Sequence, residues 1–244
     1  MPELPDVPEI EFRSDVTVEL VKASARDEDV VFAARVSTKG EQSLSDVASE
    51  AERSAGLIRY LMRDRHGSPF EHNSLTFFVQ APIFVFREFQ RHRIASYNEE
   101  SGRYRQLRPV FYVPARERAL QQIGKAGHYT FEPGTDEQHE LVTSEMRRVY
   151  TEAYASYQRM LDAGVAREVA RAVLPVATYS SMYVTLNARS LMNFLSLRTH
   201  RADAAFPSHP QREIEMCAEQ MEAFWRPLMP LTAAAFDAAG RVAP

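Results

Sequence analysis

Apolar and polar residues alternate along several short stretches of the chain, and this pattern predicts β-strands. The clearest stretches are VTVEL at 16–20, residues 73–80 and YSSMYVTL at 179–186. The segment RPVFYVP at 108–114 is also predicted to be extended. Residues 73–80 place Leu75, Phe77 and Val79 on one face, so that face is expected to be buried in a core.

Elsewhere the apolar residues recur every three or four positions, which indicates amphipathic helices. Helices are predicted for residues 46–66, 82–93, 136–161, 165–174, 187–198 and 211–225. Pro82 suits the first turn of its helix, and Asn187 can cap the helix that follows it. Between these elements, residues 1–15 are predicted to form a tail or an edge strand, and residues 95–102 and 119–136 to form surface loops.

The order of the elements is helices punctuated by a few strands, without a regular βαβ alternation. The sequence contains neither a GxGxxG motif nor a P-loop. We therefore predict an α+β fold, with an antiparallel or mixed sheet flanked by long helices and no Rossmann motif. The 244 residues can bury a sizeable core, and we predict a single domain over residues 1–244.

Composition narrows the cellular context. The first ten residues, MPELPDVPEI, have the character of neither a secretory signal nor a transit peptide. No apolar run approaches the roughly 20 residues of a membrane helix. The one cysteine, Cys217, excludes a disulfide framework and a cysteine-based zinc site, and its helical context indicates a buried, inert thiol. A cytoplasmic location is the expectation.

Charge is distributed unevenly along the chain. The net charge is −4, whereas residues 87–118 hold eight arginines against four glutamates. Much of this charge lies in RHRIASYNEESGRYRQL, residues 91–107, directly after an apolar helix. Arginine forks suit phosphates and carboxylates, which favours a small anionic ligand. A solvated, salt-bridged surface is the structural alternative, and a nucleic-acid-binding module is the functional one.

The segment LNARSLMNFLSLRTH at 186–200 carries a second set of polar residues. At about 100° per residue, Arg189 and Asn193 share one side of the helix, and Arg198 lies roughly opposite, in line with Asn187. This arrangement indicates two ligands, or two parts of one pocket. The alternative is that Arg189 pairs with a carboxylate and Asn187 serves only as a cap.

The segment HGSPFEH at 66–72 holds two histidines and a glutamate. Their spacing is not that of a helical metal-ligand pair, and no third ligand is evident. A turn that presents His66, Ser68 and Glu71 to a polar ligand is one interpretation, and a purely structural turn is the other. Ser101 lacks a recognisable catalytic triad, so it is interpreted first as a hydrogen-bond donor.

Arg91, His92 and Arg93, followed by seven residues and Ser101, form the pattern RHR-x7-S. The whole stretch RHRIASYNEESGRY resembles the signature of the flavin-dependent thymidylate synthases. Further segments resemble that family in the same order along the chain. They are FAARVS ending at residue 37, HGSPFEH, APIFVFREF, the AR-VLP segment at 170–175 and NARSLMNFLSLR.

The resemblance implies a thymidylate synthase-complementing type of fold and the conversion of dUMP to dTMP. It also implies methylenetetrahydrofolate as carbon donor, NADPH as reductant, bound FAD, and no cysteine nucleophile. The family forms homotetramers with active sites at subunit interfaces, and neither a nucleic-acid partner nor a membrane nor a metal is implied. A binding protein of this family that has lost activity is a further alternative.

The resemblance also assigns residues. The FAD contacts that it implies are Ser37, His66, Ser68, Glu71, Arg91, His92, Arg93, Asn98, Glu99, Asn187, Arg189 and Asn193. The dUMP contacts that it implies are Glu88, Ser101, Gly102, Arg103, Arg171 and Arg198. Arg198 is the expected catalytic residue, because a cation beside the uracil oxygens stabilises the charge that develops when the base is activated.

Overall fold

The computed structural model describes residues 9–40, 51–125 and 128–244. Their strands are β1 Glu11–Arg13, β2 Thr17–Ser24, β3 Ser74–Pro82, β4 Ser96–Glu99, β5 Val110–Tyr112, β6 Gln121–Lys125, β7 His128–Glu132 and β8 Tyr179–Leu186. Their α-helices are α1 Asp27–Lys39, α2 Ala51–Arg63, α3 Ile83–Phe89, α4 Asp136–Asp162, α5 Arg167–Ala170, α6 Ala188–Arg198, α7 Arg212–Trp225 and α8 Pro230–Ala238. Short 3-10 turns occupy Ser68–Glu71 and Arg171–Val173.

The chain divides into two compact units. The sheet unit comprises Val16–Gln80, Val85–Glu99 and Ser181–Pro244. The hairpin unit takes its described residues from Met1–Asp15, Ala81–Phe84 and Glu100–Ser180. The chain passes several times from one unit to the other, so each unit is built from segments that are separate in sequence.

A four-stranded sheet with the order β2-β3-β8-β4 forms the centre of the sheet unit. Strands β2 and β3 pair antiparallel, as do β4 and β8. Leu75, Phe77 and Val79 are fully buried along β3, so the alternation in the sequence correctly identified the core face. The mixture of helices with antiparallel strands confirms the predicted α+β class.

Helix α8 was not anticipated, and the contact that fixes its start shows why. Both carboxylate oxygens of Asp27 accept hydrogen bonds from the first turn of α8, at 2.8 Å from the Leu231 N–H and 2.9 Å from the Thr232 N–H. The Thr232 hydroxyl adds a third hydrogen bond of 2.6 Å. A carboxylate distant in sequence thus caps this helix, which no local motif announces.

The hairpin unit is built on the long helix α4. Thr135 and Gln138 form a reciprocal capping box at its start, with hydrogen bonds of 3.2 and 2.9 Å. Tyr150 and Tyr154 then pack against Phe111 of β5. Strand β5 pairs in parallel with β1, so the predicted N-terminal tail contributes a strand to this unit. Within the described ranges, no helix combines the length and apolarity needed to cross a bilayer.

Three predictions between the major elements were wrong. Residues 96–99 form the edge strand β4, because pairing with β8 supplies hydrogen bonds that their polar sequence does not reveal. Strands β6 and β7 pair as an antiparallel hairpin where a surface loop was expected over 119–136. Helix α3 ends at Phe89 rather than at Arg93. The predicted helix 46–66 is observed from Ala51 to Arg63, and residues 46–50 lie outside the described residues.

Candidate active site

Arg198, the last residue of α6, is bound to Glu88 near the end of α3 and to His92 in the turn that follows it. Its Nη1 donates to Oε2 of Glu88 at 2.7 Å, and its Nε donates to Nε2 of His92 at 3.0 Å. Nη2 lies 3.4 Å from the Glu88 carbonyl oxygen. The Arg198 side chain is only 17% exposed, so its guanidinium is fixed in one position rather than moving freely in solvent.

His92 is an acceptor in this arrangement, and its environment keeps it neutral. Burial, and then the positive charge of Arg198, lower the pKa of His92 to about 4. Since Nε2 accepts the Arg198 hydrogen bond, the ring proton of neutral His92 resides on Nδ1. At neutral pH the carboxylate of Glu88 and a neutral imidazole therefore hold one cation between them.

Aromatic residues pack against this network. The Phe89 and Phe194 rings are stacked with centroids 5.0 Å apart, and the His92 ring meets Phe194 edge-on at 4.8 Å. The Tyr97 hydroxyl lies 2.7 Å from the carbonyl oxygens of both Phe89 and His92, and its one proton is shared between these two acceptors. Tyr97 therefore fixes the turn that follows α3, which explains why the helix stops before the RHR motif. Burial raises the pKa of Tyr97 to about 12.

Arg189, at the other end of α6, has its own partners. Its Nη1 donates to Oε1 of Glu71 at 2.5 Å, and its Nε donates to the Pro244 carbonyl oxygen at 2.7 Å. Gly67 provides the space for this guanidinium, because a Cβ built there would lie 2.4 Å from Cζ of Arg189. Asn187 caps α6 by accepting from the Ser190 N–H at 2.9 Å. These are the contacts of the structural alternative, in which Arg189 pairs with a carboxylate and Asn187 is a cap.

A cavity of about 680 Å³ lies between the C-terminal part of α1 and the segment that follows α2. Ser37, His66 and Ser68 line it, together with His72 and Tyr60. Its volume is in the range of small-molecule and cofactor pockets. Three residues that the family resemblance assigns to FAD thus share one cavity, which we name the flavin cavity.

The remaining residues assigned to FAD are exposed on the sheet unit. They are Arg91, Arg93, Asn98, Glu99 and Asn193. Asn98 and Glu99 are on the edge strand β4. Arg91 and Arg93 form no ion pair with any residue that the structure describes, so their guanidinium groups can meet a ligand without breaking a bond. Glutamates among the described residues therefore do not neutralise the charges of Arg91 and Arg93.

The hairpin unit groups four of the residues assigned to dUMP. Gly102 is buried, and a Cβ there would lie 3.2 Å from Cδ of Arg171. The Arg103 backbone N–H donates to the Ser101 hydroxyl at 3.3 Å, and the Arg103 side chain pairs with Glu168 at 2.9 Å. Glu88 and Arg198 belong to the sheet unit instead.

The tyrosines of α4 position this segment of the hairpin unit. The Tyr154 hydroxyl donates to the Leu107 carbonyl oxygen at 3.2 Å, and the Leu107 N–H donates to the Tyr157 hydroxyl at 3.3 Å. The segment from Ser101 to Leu107 is thus hydrogen-bonded to α4 through its last residue, Leu107.

No group of three or more histidines, cysteines, aspartates and glutamates with metal-binding geometry occurs in the described parts of the chain. Cys217 is fully buried, and burial, with the charge of Glu213, raises the pKa of its thiol.

The sequence interpretation missed two residues of the site. Tyr97 was hidden inside a segment interpreted as a loop, although an aromatic residue among polar neighbours was a usable signal. Gly67 was interpreted only as the end of a helix. Its contact with Arg189 joins positions that are far apart in sequence, and no local pattern encodes such a contact.

Comparisons with known proteins agree with this picture. A family described as "Thymidylate synthase complementing protein" matches residues 19–231. A flavin-dependent thymidylate synthase of Streptomyces coelicolor is 70% identical over 240 residues, covering 98% of each chain. One from Tropheryma whipplei is 62% identical over 234 residues, covering 96% of this chain and 97% of the relative.

A solved structure is similar over almost the whole fold. The crystal structure of PolB, a UMP/dUMP methylase from Streptomyces cacaoi, with 5-Br dUMP superimposes with a TM-score of 0.89 at 59% identity. It covers 96% of this chain and 100% of that one. The same enzyme with 5-Br UMP gives a TM-score of 0.88 at 58% identity over 97% of this chain and 100% of that one. The chain therefore belongs to the thymidylate synthase complementing protein family, that of the flavin-dependent thymidylate synthases.

Proposed function

We propose that this protein is an FAD-dependent thymidylate synthase. It converts dUMP to dTMP with the methylene carbon of methylenetetrahydrofolate and two electrons from NADPH, and it releases tetrahydrofolate and NADP+. The names of its relatives support the reaction, and the structure of PolB with 5-Br dUMP supports dUMP as the substrate. Since the family match runs through both units, we propose that residues 1–244 act as one catalytic domain.

The observation that carries the proposal is the fixed guanidinium of Arg198. A guanidinium has five N–H groups, and its contacts with Glu88 and His92 use three of them. The remaining two are available to a ligand. Beside the oxygens of a uracil ring, a cation held in this way stabilises negative charge as C5 becomes nucleophilic, without reorganising during the reaction.

Glu88 and His92 are positioning residues in this scheme. Each fixes one edge of the Arg198 guanidinium, and His92 also belongs to the turn held by Tyr97. The proposed dUMP contacts of the hairpin unit are Ser101, Gly102, Arg103 and Arg171. Arginine forks of this kind suit a nucleotide phosphate.

The residues of the sheet unit fit a flavin. The flavin cavity has room for part of a cofactor, Gly67 admits the Arg189 guanidinium, and the exposed Arg91 and Arg93 can meet a pyrophosphate. The proposed FAD contacts are those that the family resemblance assigns, from Ser37 to Asn193. Bound FAD supplies two-electron redox chemistry that amino-acid side chains lack.

The chain activates its substrate without a cysteine nucleophile. Cys217 is buried, and the raised pKa of its thiol disfavours the reactive thiolate. Ser101 accepts a backbone hydrogen bond, and no described residue forms a hydrogen bond with its hydroxyl as a base would. Charge stabilisation by Arg198 is the activation that remains.

We further propose a cytoplasmic homotetramer with active sites at subunit interfaces. The support is the exposure of large apolar side chains within the signature segment. Ile94 is 74% exposed and Tyr104 is 79% exposed. Exposed apolar groups beside a binding site are typical of surfaces that a ligand or another subunit covers.

The test is an assay of tritium release from dUMP labelled at C5. The purified protein with FAD, NADPH and methylenetetrahydrofolate is expected to release tritium and to form dTMP. Reactions without the folate or without NADPH are the controls for dTMP formation, and both are expected to yield none. A protein that takes up no FAD and forms no dTMP would contradict the proposal.

A further inference from the structure

A second cavity, of about 730 Å³, lies in the sheet unit between α2 and the C-terminal end of the chain. Its lining combines the arginines Arg59, Arg63 and Arg65 with apolar groups of α8 and with Val242. Tyr60 lines both this cavity and the flavin cavity. None of the residues assigned to FAD or dUMP lines it. We name it the arginine cavity.

The described residues do not balance the positive charge of this cavity. Arg63 pairs with the adjacent Asp64 at 2.8 Å and lies over the Tyr60 ring, 5.5 Å from its centroid. Arg59 and Arg65, in contrast, form no ion pair or hydrogen bond through their side chains with any described residue. Among the described residues, no carboxylate lines the cavity. Two guanidinium groups thus face a concave surface without a counter-ion from the described chain.

The backbone of Arg65 gives an independent reason to assign it a ligand. The Arg65 N–H donates to the Met62 carbonyl oxygen at 3.3 Å, and the His66 N–H donates to the Leu61 carbonyl oxygen at 2.9 Å. This is a Schellman ending of α2, with Arg65 at φ 58° in the left-handed position. Glycine occupies that position most easily, because a Cβ is disfavoured there.

Two other helices of this chain show the usual solution. Helix α4 ends in the same hydrogen-bond pattern with Gly164 in the left-handed position, and α8 does so with Gly240. The one other described non-glycine residue at positive φ, Arg241, is retained by buried bonds from its guanidinium to Glu222. Arg65 has the strain of Arg241 without the described partner, so its side chain is explained best by a ligand outside the chain.

We propose that the arginine cavity binds a small anionic molecule, with Arg59 and Arg65 contacting a phosphate or carboxylate group. Planar guanidinium forks recognise both of these groups. The Tyr60 ring, Met62 and the α8 alanines suit an aromatic or apolar body attached to the anion. The volume matches that of small-molecule pockets. The binding does not depend on thymidylate synthase activity.

The test is calorimetric titration of the full chain, as purified and after incubation with excess FAD. ADP is the phosphate probe and benzoyl-glutamate is the carboxylate probe, so the two titrations separate the possible sources of the anion. At least one probe is expected to bind both preparations. Arg59→Ala and Arg65→Gly are each expected to weaken that binding by about tenfold, the loss of one charge-assisted contact. Arg87→Ala removes an exposed arginine outside the cavity and is expected to bind as the unmodified chain does.

Arg65→Gly also separates a ligand role from a structural role. Because glycine suits the left-handed position, this variant is expected to melt at the same temperature or about 2–4 °C higher. Weaker binding by a chain of equal or greater stability would be the signature of a ligand-binding arginine. If neither probe binds, or if Arg65→Gly and Arg59→Ala bind as tightly as the unmodified chain, the inference is overturned.

Discussion

Arg189 and Arg198 belong to the same helix, α6, and differ in how the protein holds them. Arg189 is in the first turn, where the helix dipole disfavours a cation, and the nearby carboxylate of Glu71 compensates. Arg198 is in the last turn, where the dipole favours a cation. It is 17% exposed in the side chain, against 43% for Arg189.

The comparison shows that two arginines on one helix can have different functions. Arg198 is fixed by Glu88 and neutral His92, an arrangement suited to stabilising charge in a reaction. Arg189 is fixed by Glu71 and by the Pro244 carbonyl oxygen, an arrangement suited to holding a bound group in place. His92 makes the separation incomplete, because it was assigned to FAD and yet contacts Arg198.

Replacing Arg198 is expected to have the largest effect. Arg198→Ala removes the only charged donor that Glu88 and His92 share in the described structure. Turnover of dUMP should fall by about 10²–10³, as for the loss of one preorganised donor to a developing charge. Flavin content, measured by absorbance of the purified protein, should change little.

Leu197→Ala is a matched control for this prediction, since Leu197 is the neighbouring residue and is 52% exposed. It should retain both turnover and flavin. If Arg198→Ala loses flavin as completely as Arg189→Ala does, the two ends of α6 serve the same ligand and the comparison fails.

Gly67→Ala tests the position of the Arg189 guanidinium. Its expected effect is smaller than that of Arg198→Ala. The added Cβ would lie 2.4 Å from Cζ and Nε of Arg189, so the guanidinium must leave Glu71 or Pro244. FAD affinity is expected to fall by about tenfold or more, the loss of one charge-assisted contact. Fluorescence titration of the flavin-free protein with FAD measures it.

Gly56→Ala is the control, because a Cβ at Gly56 meets nothing within 4 Å and Gly56 is inside helix α2. Alanine there should stabilise the helix by about 0.5–1 kcal/mol and leave FAD affinity unchanged. An unchanged FAD affinity in Gly67→Ala would mean that the observed position of Arg189 does not matter for the flavin.

Much of this fold was predictable because its signals are local. The alternation of β3 and β8 and the cap of α6 depend on neighbouring residues, and the structure has each of them. The edge strand β4 and the helix α8 depend on β8 and on Asp27, which are distant in sequence. No short-range pattern can reveal such partners.

The residues of the candidate site show the same contrast between local signals and contacts that are distant in sequence. Spacing alone placed Arg189 and Arg198 on different sides of a helix, and the family resemblance named ligands for them. Neither indicated that Glu88 and His92 hold Arg198, or that Gly67 admits Arg189. Those contacts arise only when separate segments of the chain pack together, which is where the chemistry of each arginine is decided.

The pH dependence of stability tests the contact of Arg198 with neutral His92. Its expected effect is the smallest of these predictions. The pKa of His92 is about 4 in the folded chain and 6.5 as the ordinary value, so between these values the unfolded state binds more protons. The contribution to stability is therefore fully present above pH 6.5 and is lost as the pH falls toward 4. The loss should be on the order of 1–2 kcal/mol, because partial exposure reduces the full linkage energy.

His92→Gln keeps an acceptor for Arg198 without a titrating ring. The free energy of unfolding, measured in urea from pH 7.5 to pH 5, should therefore decline less steeply for this variant. Equal slopes in the two proteins would mean that His92 is not held neutral, and the distinction between the two ends of α6 would then depend on Glu88 and Glu71 alone.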